Sequence, residues 1–236
     1  LGSLIAKWFT RLRVHLLQYR YRNRPYREYY AAVMRVRTAY DPKFAVGGRW
    51  EEIGRLQFDF LRARGLQPTH TLLDFGCGSL RGGLHFIRYL EPGHYTGIDI
   101  SPEALAAGRQ FLAQAGLEDR KPVLRLSHGL TFDDFSSQRF DFILAQSVLT
   151  HMPRQDIETL FAHVHKVMHP ATVFYATFFD GGTRTYTSAD RTNFHYPFPL
   201  LRDLGAKYSL RITRDPDYPH PRKQQMMAIR LLIDQQ

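Results

Sequence analysis

The stretch Leu72-Leu73-Asp74-Phe75-Gly76-Cys77-Gly78-Ser79-Leu80-Arg81-Gly82-Gly83 decides how this chain reads. An apolar run, a glycine-rich turn and a helical pattern follow one another. They predict a buried strand, a loop that a ligand can approach closely, and a helix start. A second apolar strand at 95–100 carries Asp99 near its end. Glycines that bare the backbone, followed by an acid able to accept from ribose hydroxyls, point to a nucleotide-type ligand.

Outward from this stretch, strand and helix patterns alternate. Strands are predicted at 71–75, 95–100, 123–127, 140–147 and 172–179. Helices are predicted at 50–64, 81–90, about 102–115 and about 154–168, the third with Ser101 as N-cap and Pro102 at its first position. Two further strands, 208–213 and 225–233, follow a long connection. Such alternation predicts an α/β fold with a mostly parallel sheet and helices on both faces. The closing strand pair predicts an antiparallel hairpin at its edge.

The chain has 236 residues, 44% of them hydrophobic, enough for one α/β domain and an appendage. Cys77 is the single cysteine. It excludes an intrachain disulfide and a multi-cysteine zinc site, and fits a reducing, cytoplasmic compartment. No apolar run reaches about 18 residues, so no spanning helix is expected. The chain opens at Leu1 rather than Met, and a native start further upstream is expected.

The formal charge of +10 is uneven. Residues 1–37 hold nine basic side chains against Glu28 alone, which leaves +2 for the remainder. A basic footprint over the catalytic part, as a nucleic-acid enzyme needs, is not supported. Leu4, Ile5, Trp8, Phe9, Leu12, Leu16 and Tyr19 share a sector of roughly 140° on a helix turning 100° per residue. A basic amphipathic helix suits docking on the protein's own core, homodimerisation or peripheral membrane contact. Residues 21–50 are rich in Tyr and Arg and end in the breakers Asp41-Pro42 and Gly47-Gly48.

Two nucleotide classes are excluded. The dinucleotide fingerprint G-x-G-x-x-G fails at Arg81, too large for close helix–strand packing, and no Gly-Lys-Ser/Thr of a Walker A loop occurs. Instead, Asp74-x-Gly76-x-Gly78 resembles the first motif of class I S-adenosylmethionine-dependent methyltransferases of the small-molecule type. Asp99, the strand opening Phe140-Asp141-Phe142-Ile143, the stretch Gln146-Ser147-Val148-Leu149-Thr150-His151-Met152-Pro153 and the closing strand pair agree in register. The resemblance covers about residues 66–236. It departs at Leu80, which replaces the motif's third glycine. It departs again at Ser127-His128-Gly129, where many members carry an acid for the adenine amino group.

The resemblance implies a Rossmann-like sandwich with a seven-stranded, mostly parallel sheet and an antiparallel last strand. A basic helical arm (1–64) would precede the catalytic domain (65–236). It implies S-adenosylmethionine as cofactor. Asp74 would orient the ammonium end, unless it only caps its own loop. Gly76, Cys77 and Gly78 would pass the methionine portion, Asp99 would take the ribose, and Ile100 would pack on adenine. His128 and Gly129 would border adenine, and Gln146 and Ser147 would line the transfer site. No metal is implied. His151 is the candidate general base, because histidine titrates near neutral pH, or else it begins the next helix. His195 and Tyr196, in the connection 180–196, are second-choice acceptor contacts. The expected reaction is methylation of a small molecule, on a hydroxyl oxygen of a sugar, lipid-linked glycan or secondary metabolite. An RNA methyltransferase using the basic arm is one alternative. The other is a cofactor-binding, non-catalytic protein that docks on a membrane or partner.

Overall fold

A computed structural model of the chain describes residues 2–127, 129–135, 138–189 and 191–232, with the side chains of 2–9 and 11 outside that description. Four helices come first: α1 (Gly2–Arg20), α2 (Tyr26–Tyr40), the short α3 (Pro42–Ala45) and α4 (Trp50–Ala63). Then β1 (Leu72–Phe75), α5 (Gly83–Tyr89), β2 (Tyr95–Asp99), α6 (Pro102–Gln114), β3 (Val123–Leu126), β4 (Phe140–Ala145) and α7 (Arg154–His163) alternate. The chain closes with β5 (Met168–Asp180), β6 (Tyr186–Thr187), β7 (Phe194–Tyr196), α8 (Phe198–Ala206), β8 (Leu210–Asp215) and β9 (Gln225–Leu231).

Strands β3, β2, β1, β4 and β5 pair in that order, all parallel. The last strand, β9, runs antiparallel to both β5 and β8, so the closing pair forms the expected edge hairpin. This is the mostly parallel α/β sheet read from the sequence. The strand count differs. Strand β5 is longer than the expected 172–179, and its end passes the last pair with β9, leaving backbone groups unpaired. There Phe179 and Asp180 pair in parallel with His195 and Tyr196 of β7, and β6 adds to β7. Two short strands thus come from a stretch expected as a connection. Helix α7 also ends early, at His163. A 3₁₀ turn over Val164–Val167 leads directly into β5.

The start of α6 is as expected, with the Ser101 hydroxyl accepting from the Ala104 amide at 3.1 Å. One buried cluster lies on each face of the sheet. Phe60 and Leu61 of α4 share a cluster with Leu72, Phe86 and Tyr175, and Arg64 just beyond α4 is paired with Asp215.

Helix α2 lies across the parallel part of the sheet. Arg35 donates to Glu103 of α6 at 2.8 Å, and Tyr26 meets Phe194 edge-on at 5.1 Å. Helix α1 packs on α2 through Val14, against Tyr29 and Val33. Of the expected apolar stripe, Leu12, Leu16 and Tyr19 are exposed, on the face away from α2. No described helix is long and apolar enough to cross a membrane.

Candidate active site

At the carboxyl ends of β1, β2 and β4 the sheet opens into a cavity of about 680 Å³, covered by α1 and α2. Parallel α/β sheets place ligands at this end because the loops diverge there. Gly76 and Gly78 take left-handed φ values of 79° and 55°. A Cβ at Gly76 would come within 2.4 Å of Val148 Cγ2, and one at Gly78 within 2.6 Å of Val46 Cγ1. Both conformation and contact therefore require glycine. The amides of Gly76 and Cys77 donate to the Ile98 carbonyl at 2.8 and 3.0 Å, which ties the turn to β2.

Asp99 ends β2 and faces the cavity. The Gly78 amide donates to its Oδ2 at 2.9 Å and the Ser101 amide to its Oδ1 at 2.8 Å. A carboxylate has about four acceptor positions, so capacity remains beyond these backbone donors. Burial raises the Asp99 carboxyl above its usual range, and these backbone donors oppose the rise.

Asp74 does not cap its own loop. The Tyr95 hydroxyl donates to its Oδ2 at 2.7 Å. Burial pushes Asp74 up to about 7, with Tyr95 opposing, Asp99 adding and Arg81 opposing. Cys77 is buried, and burial drives its thiol well above the ordinary value, so it offers no thiolate nucleophile.

Gln146 and Ser147 close the far wall. The Tyr218 hydroxyl donates to Gln146 Oε1 at 2.5 Å, and Gln146 Nε2 donates to Gln224 Oε1 at 3.1 Å. Ser147 has a left-handed φ of 59°; its amide donates to Thr177 Oγ1 at 2.7 Å and its hydroxyl to Gln224 Oε1 at 3.0 Å. This polar mesh holds Ser147 in an unfavourable backbone region beside the cavity.

His151 stands on a 3₁₀ turn, Leu149–His151, and lines the cavity. Its Nδ1 faces the Thr192 carbonyl. A carbonyl only accepts, so Nδ1 carries a proton. Tyr30 of α2 stacks on the ring, with centroids 5.2 Å apart.

Ile100 lines the cavity. His128 lies outside the described residues. The Gly129 carbonyl accepts from the Ser127 hydroxyl at 3.0 Å, and the wall here is Ser127 and Leu130. His195 and Tyr196 are placed elsewhere. His195 is stacked between Phe179 and Tyr186, at 4.8 and 4.2 Å. Tyr196 is buried and donates to the Met152 carbonyl at 2.8 Å. Pairing with β5 turns both into sheet residues, and neither reaches the cavity as an acceptor contact. Among the described residues, no group of three His, Cys, Asp or Glu could hold a metal ion.

Comparison with known proteins agrees with this geometry. Residues 73–174 match the methyltransferase-domain family. The structure superposes on magnesium protoporphyrin IX methyltransferase from Synechocystis with bound S-adenosylhomocysteine. That match has a TM-score of 0.62 and 15% identity, over 82% of this chain and 94% of the other. A glycopeptide N-methyltransferase complexed with S-adenosylmethionine gives 0.60 and 15%, over 75% and 94%. Residues 73–174 thus resemble a methyltransferase domain, and the chain shares the fold of these solved structures.

Sequence relatives are partial. Ribosomal protein L11 methyltransferase of Burkholderia thailandensis is 34% identical over 106 residues, 44% of this chain and 32% of that protein. Ubiquinone biosynthesis O-methyltransferase of Aromatoleum aromaticum is 27% identical over 165 residues, 68% of this chain and 60% of that protein. The match thus spans about a third of the first relative's length and 60% of the second's.

The cavity has site residues that sequence reasoning missed. Tyr30, Arg37 and Met34 enter the cavity from α2, and Arg222 and Gln224 from the segment before β9. Arg81, read only as a misfit for the dinucleotide loop, also lines it. The charge of the stretch 21–37 was visible, but nothing in its periodicity showed that it covers the site.

Proposed function

We propose that this chain transfers a methyl group from S-adenosylmethionine to a small-molecule acceptor, at a hydroxyl oxygen. One observation carries the reading: Asp99 is held by the Gly78 and Ser101 amides, with acceptor capacity to spare, beside a turn that only glycine can form. The donors present fit the cofactor. Asp99 would hold the ribose, Asp74 the ammonium end, and Gly76 to Gly78 would let the backbone approach the methionine portion. A cavity of about 680 Å³ is within the usual range for a small-ligand site. When bound, S-adenosylmethionine supplies an electrophilic methyl group on a sulfonium, so the protein's task is binding and alignment.

His151 is the general base. The Thr192 carbonyl faces Nδ1 and Tyr30 stacks on the ring, which orients the imidazole in the cavity wall to take the acceptor's hydroxyl proton. Helices α1 and α2 cover the cavity and keep water from the reacting groups. The same cover favours a small acceptor over a folded macromolecule. A ubiquinone biosynthesis O-methyltransferase among the relatives supports oxygen as the acceptor atom. The exposed stripe of Leu12, Leu16 and Tyr19 on a basic helix is read as a contact for an anionic membrane surface, or else for a second copy of the chain. A single buried cysteine fits a cytoplasmic setting.

Incubation with methyl-labelled S-adenosylmethionine and a metabolite extract tests the reading. Label is expected in an organic product as a methyl ether, and His151→Ala should abolish it. Label found only in RNA or protein, or full transfer by His151→Ala, contradicts it.

A further inference from the structure

Three guanidinium groups enter the cavity wall from separate segments: Arg37 from α2, Arg81 from the turn before α5, and Arg222 from the stretch before β9. Arg81 is only 6% exposed. Its Nη1 donates to the carbonyls of Val46 and Gly48, while its Nε has no partner among the described residues. Arg222 donates to the Gly47 carbonyl. Among the described residues, none of the three forms an ion pair with a carboxylate. Burial lowers the Arg222 guanidinium, and Arg49 and Arg37 lower it further. Burial likewise lowers Arg81 to about 10, with Tyr218 opposing, Arg222 adding and Asp74 opposing. Positive charge is thus concentrated in this wall, with Arg81 buried near Asp74 and Arg222 exposed at the rim, and none of the three is in contact with a carboxylate, an arrangement that an anion would complete.

The charge balance of the filled site sharpens this. Counting Arg27, the wall carries four arginines against Asp74, Asp99 and Asp156, an excess of one positive charge. S-adenosylmethionine adds one more, because its sulfonium and ammonium outweigh its carboxylate. A neutral acceptor would enter a cavity already two charges positive, the cofactor's own carboxylate included.

We propose that the acceptor enters as an anion, with a carboxylate or phosphate group held by Arg37 and Arg222 in the wall shared with Arg81. The planar fork of arginine suits both groups and gives paired, charge-assisted hydrogen bonds. This inference rests on the methyl-transfer reading of the cavity. It adds a substrate class: a small acid or phosphorylated compound bearing the hydroxyl to be methylated.

The anion has two conceivable sources, the acceptor and the cofactor's own carboxylate, and calorimetry on the full chain separates them. The titrants are S-adenosylhomocysteine, 5′-methylthioadenosine (which lacks the amino-acid tail), inorganic phosphate and benzoate. Both anions are titrated into free protein and into protein saturated with S-adenosylhomocysteine. Saturated protein should bind phosphate or benzoate. The double variant Arg37→Gln/Arg222→Gln should weaken that binding by about tenfold or more, with S-adenosylhomocysteine affinity within about threefold. The corresponding double lysine variant keeps the charge and should lose less, which separates anion binding from misfolding. Two results overturn the proposal. In one, neither anion binds the saturated protein. In the other, S-adenosylhomocysteine affinity falls tenfold in the glutamine variant while methylthioadenosine affinity holds. If S-adenosylhomocysteine does not bind but the anions do, the methyl-transfer reading falls and the anion site stands.

Discussion

Tyr30 of α2 stacks on His151, on the 3₁₀ turn that follows β4, ring centroids 5.2 Å apart and planes inclined by 27°. Both rings line the cavity, so the arm supplies part of the wall that holds the proposed base. Aromatic pairs contribute about 0.5–1.5 kcal/mol beyond burial. Tyr30→Phe should keep the stack and the transfer rate. Tyr30→Ala should release the ring and lower labelled-product formation by about tenfold, with a smaller effect on S-adenosylhomocysteine affinity. Equal rates for the two variants would remove the stack from the account.

Leu80 stands where the motif's third glycine is expected, and it takes a left-handed φ of 68° with its side chain fully buried. The turn therefore keeps glycine's conformation without glycine. A left-handed backbone costs an ordinary residue about 1–2 kcal/mol, and truncating a buried leucine costs about 2–5 kcal/mol. Leu80→Ala loses the packing and keeps the strain; Leu80→Gly loses the packing and sheds the strain. Both should be less stable than wild type in denaturant unfolding, with glycine the better of the two by about 1 kcal/mol. That reverses the order expected inside a helix.

The legible parts of this chain were those with a short-range pattern. Alternating strands and helices, the turn at Gly76 and Gly78, and Asp99 at a strand end all depend on neighbours within one β-α unit. Helix α2 was not legible, because its inward face is mixed: Tyr29, Ala32, Val33, Met34 and Thr38 are buried together. The mesh of Tyr218, Gln224 and Gln146 joins residues more than 70 positions apart, so no spacing announces it. His195 and Tyr196 misled because a connection became a sheet edge once β5 ran long.

That mesh has a measurable weight. Tyr218→Phe leaves Gln146 Oε1 buried without its donor, a loss of about 1–3 kcal/mol. The variant should unfold at lower denaturant concentration with an unchanged m-value. An unchanged midpoint would show that the bond to Gln146 contributes nothing net.

Asp74 provides a pH signature. Its carboxyl, ordinarily at 3.8, is raised to about 7 in the folded protein, chiefly by burial. The folded state therefore holds this proton more tightly than the unfolded state. Its contribution to stability is complete below about 3.8 and is lost as pH rises through about 7. Binding a ligand ammonium runs the other way, because it needs the ionised form. Affinity for S-adenosylhomocysteine should rise with pH and level off above about 7, with proton release below that value. Asp74→Asn should flatten both dependences, and a wild type with flat dependences would contradict the assignment.

The central claim is that Asp99 and the adjoining glycine turn hold S-adenosylmethionine. Isothermal titration of the full chain with S-adenosylhomocysteine tests it most directly. One equivalent should bind wild-type protein. Asp99→Asn, which keeps the side chain's size, should bind more weakly. Asp99→Ala should lose about a hundredfold or more, the loss of two charge-assisted hydrogen bonds of about 1.5–3 kcal/mol each. Absence of binding to the wild type, or an unchanged affinity in Asp99→Ala, would contradict it.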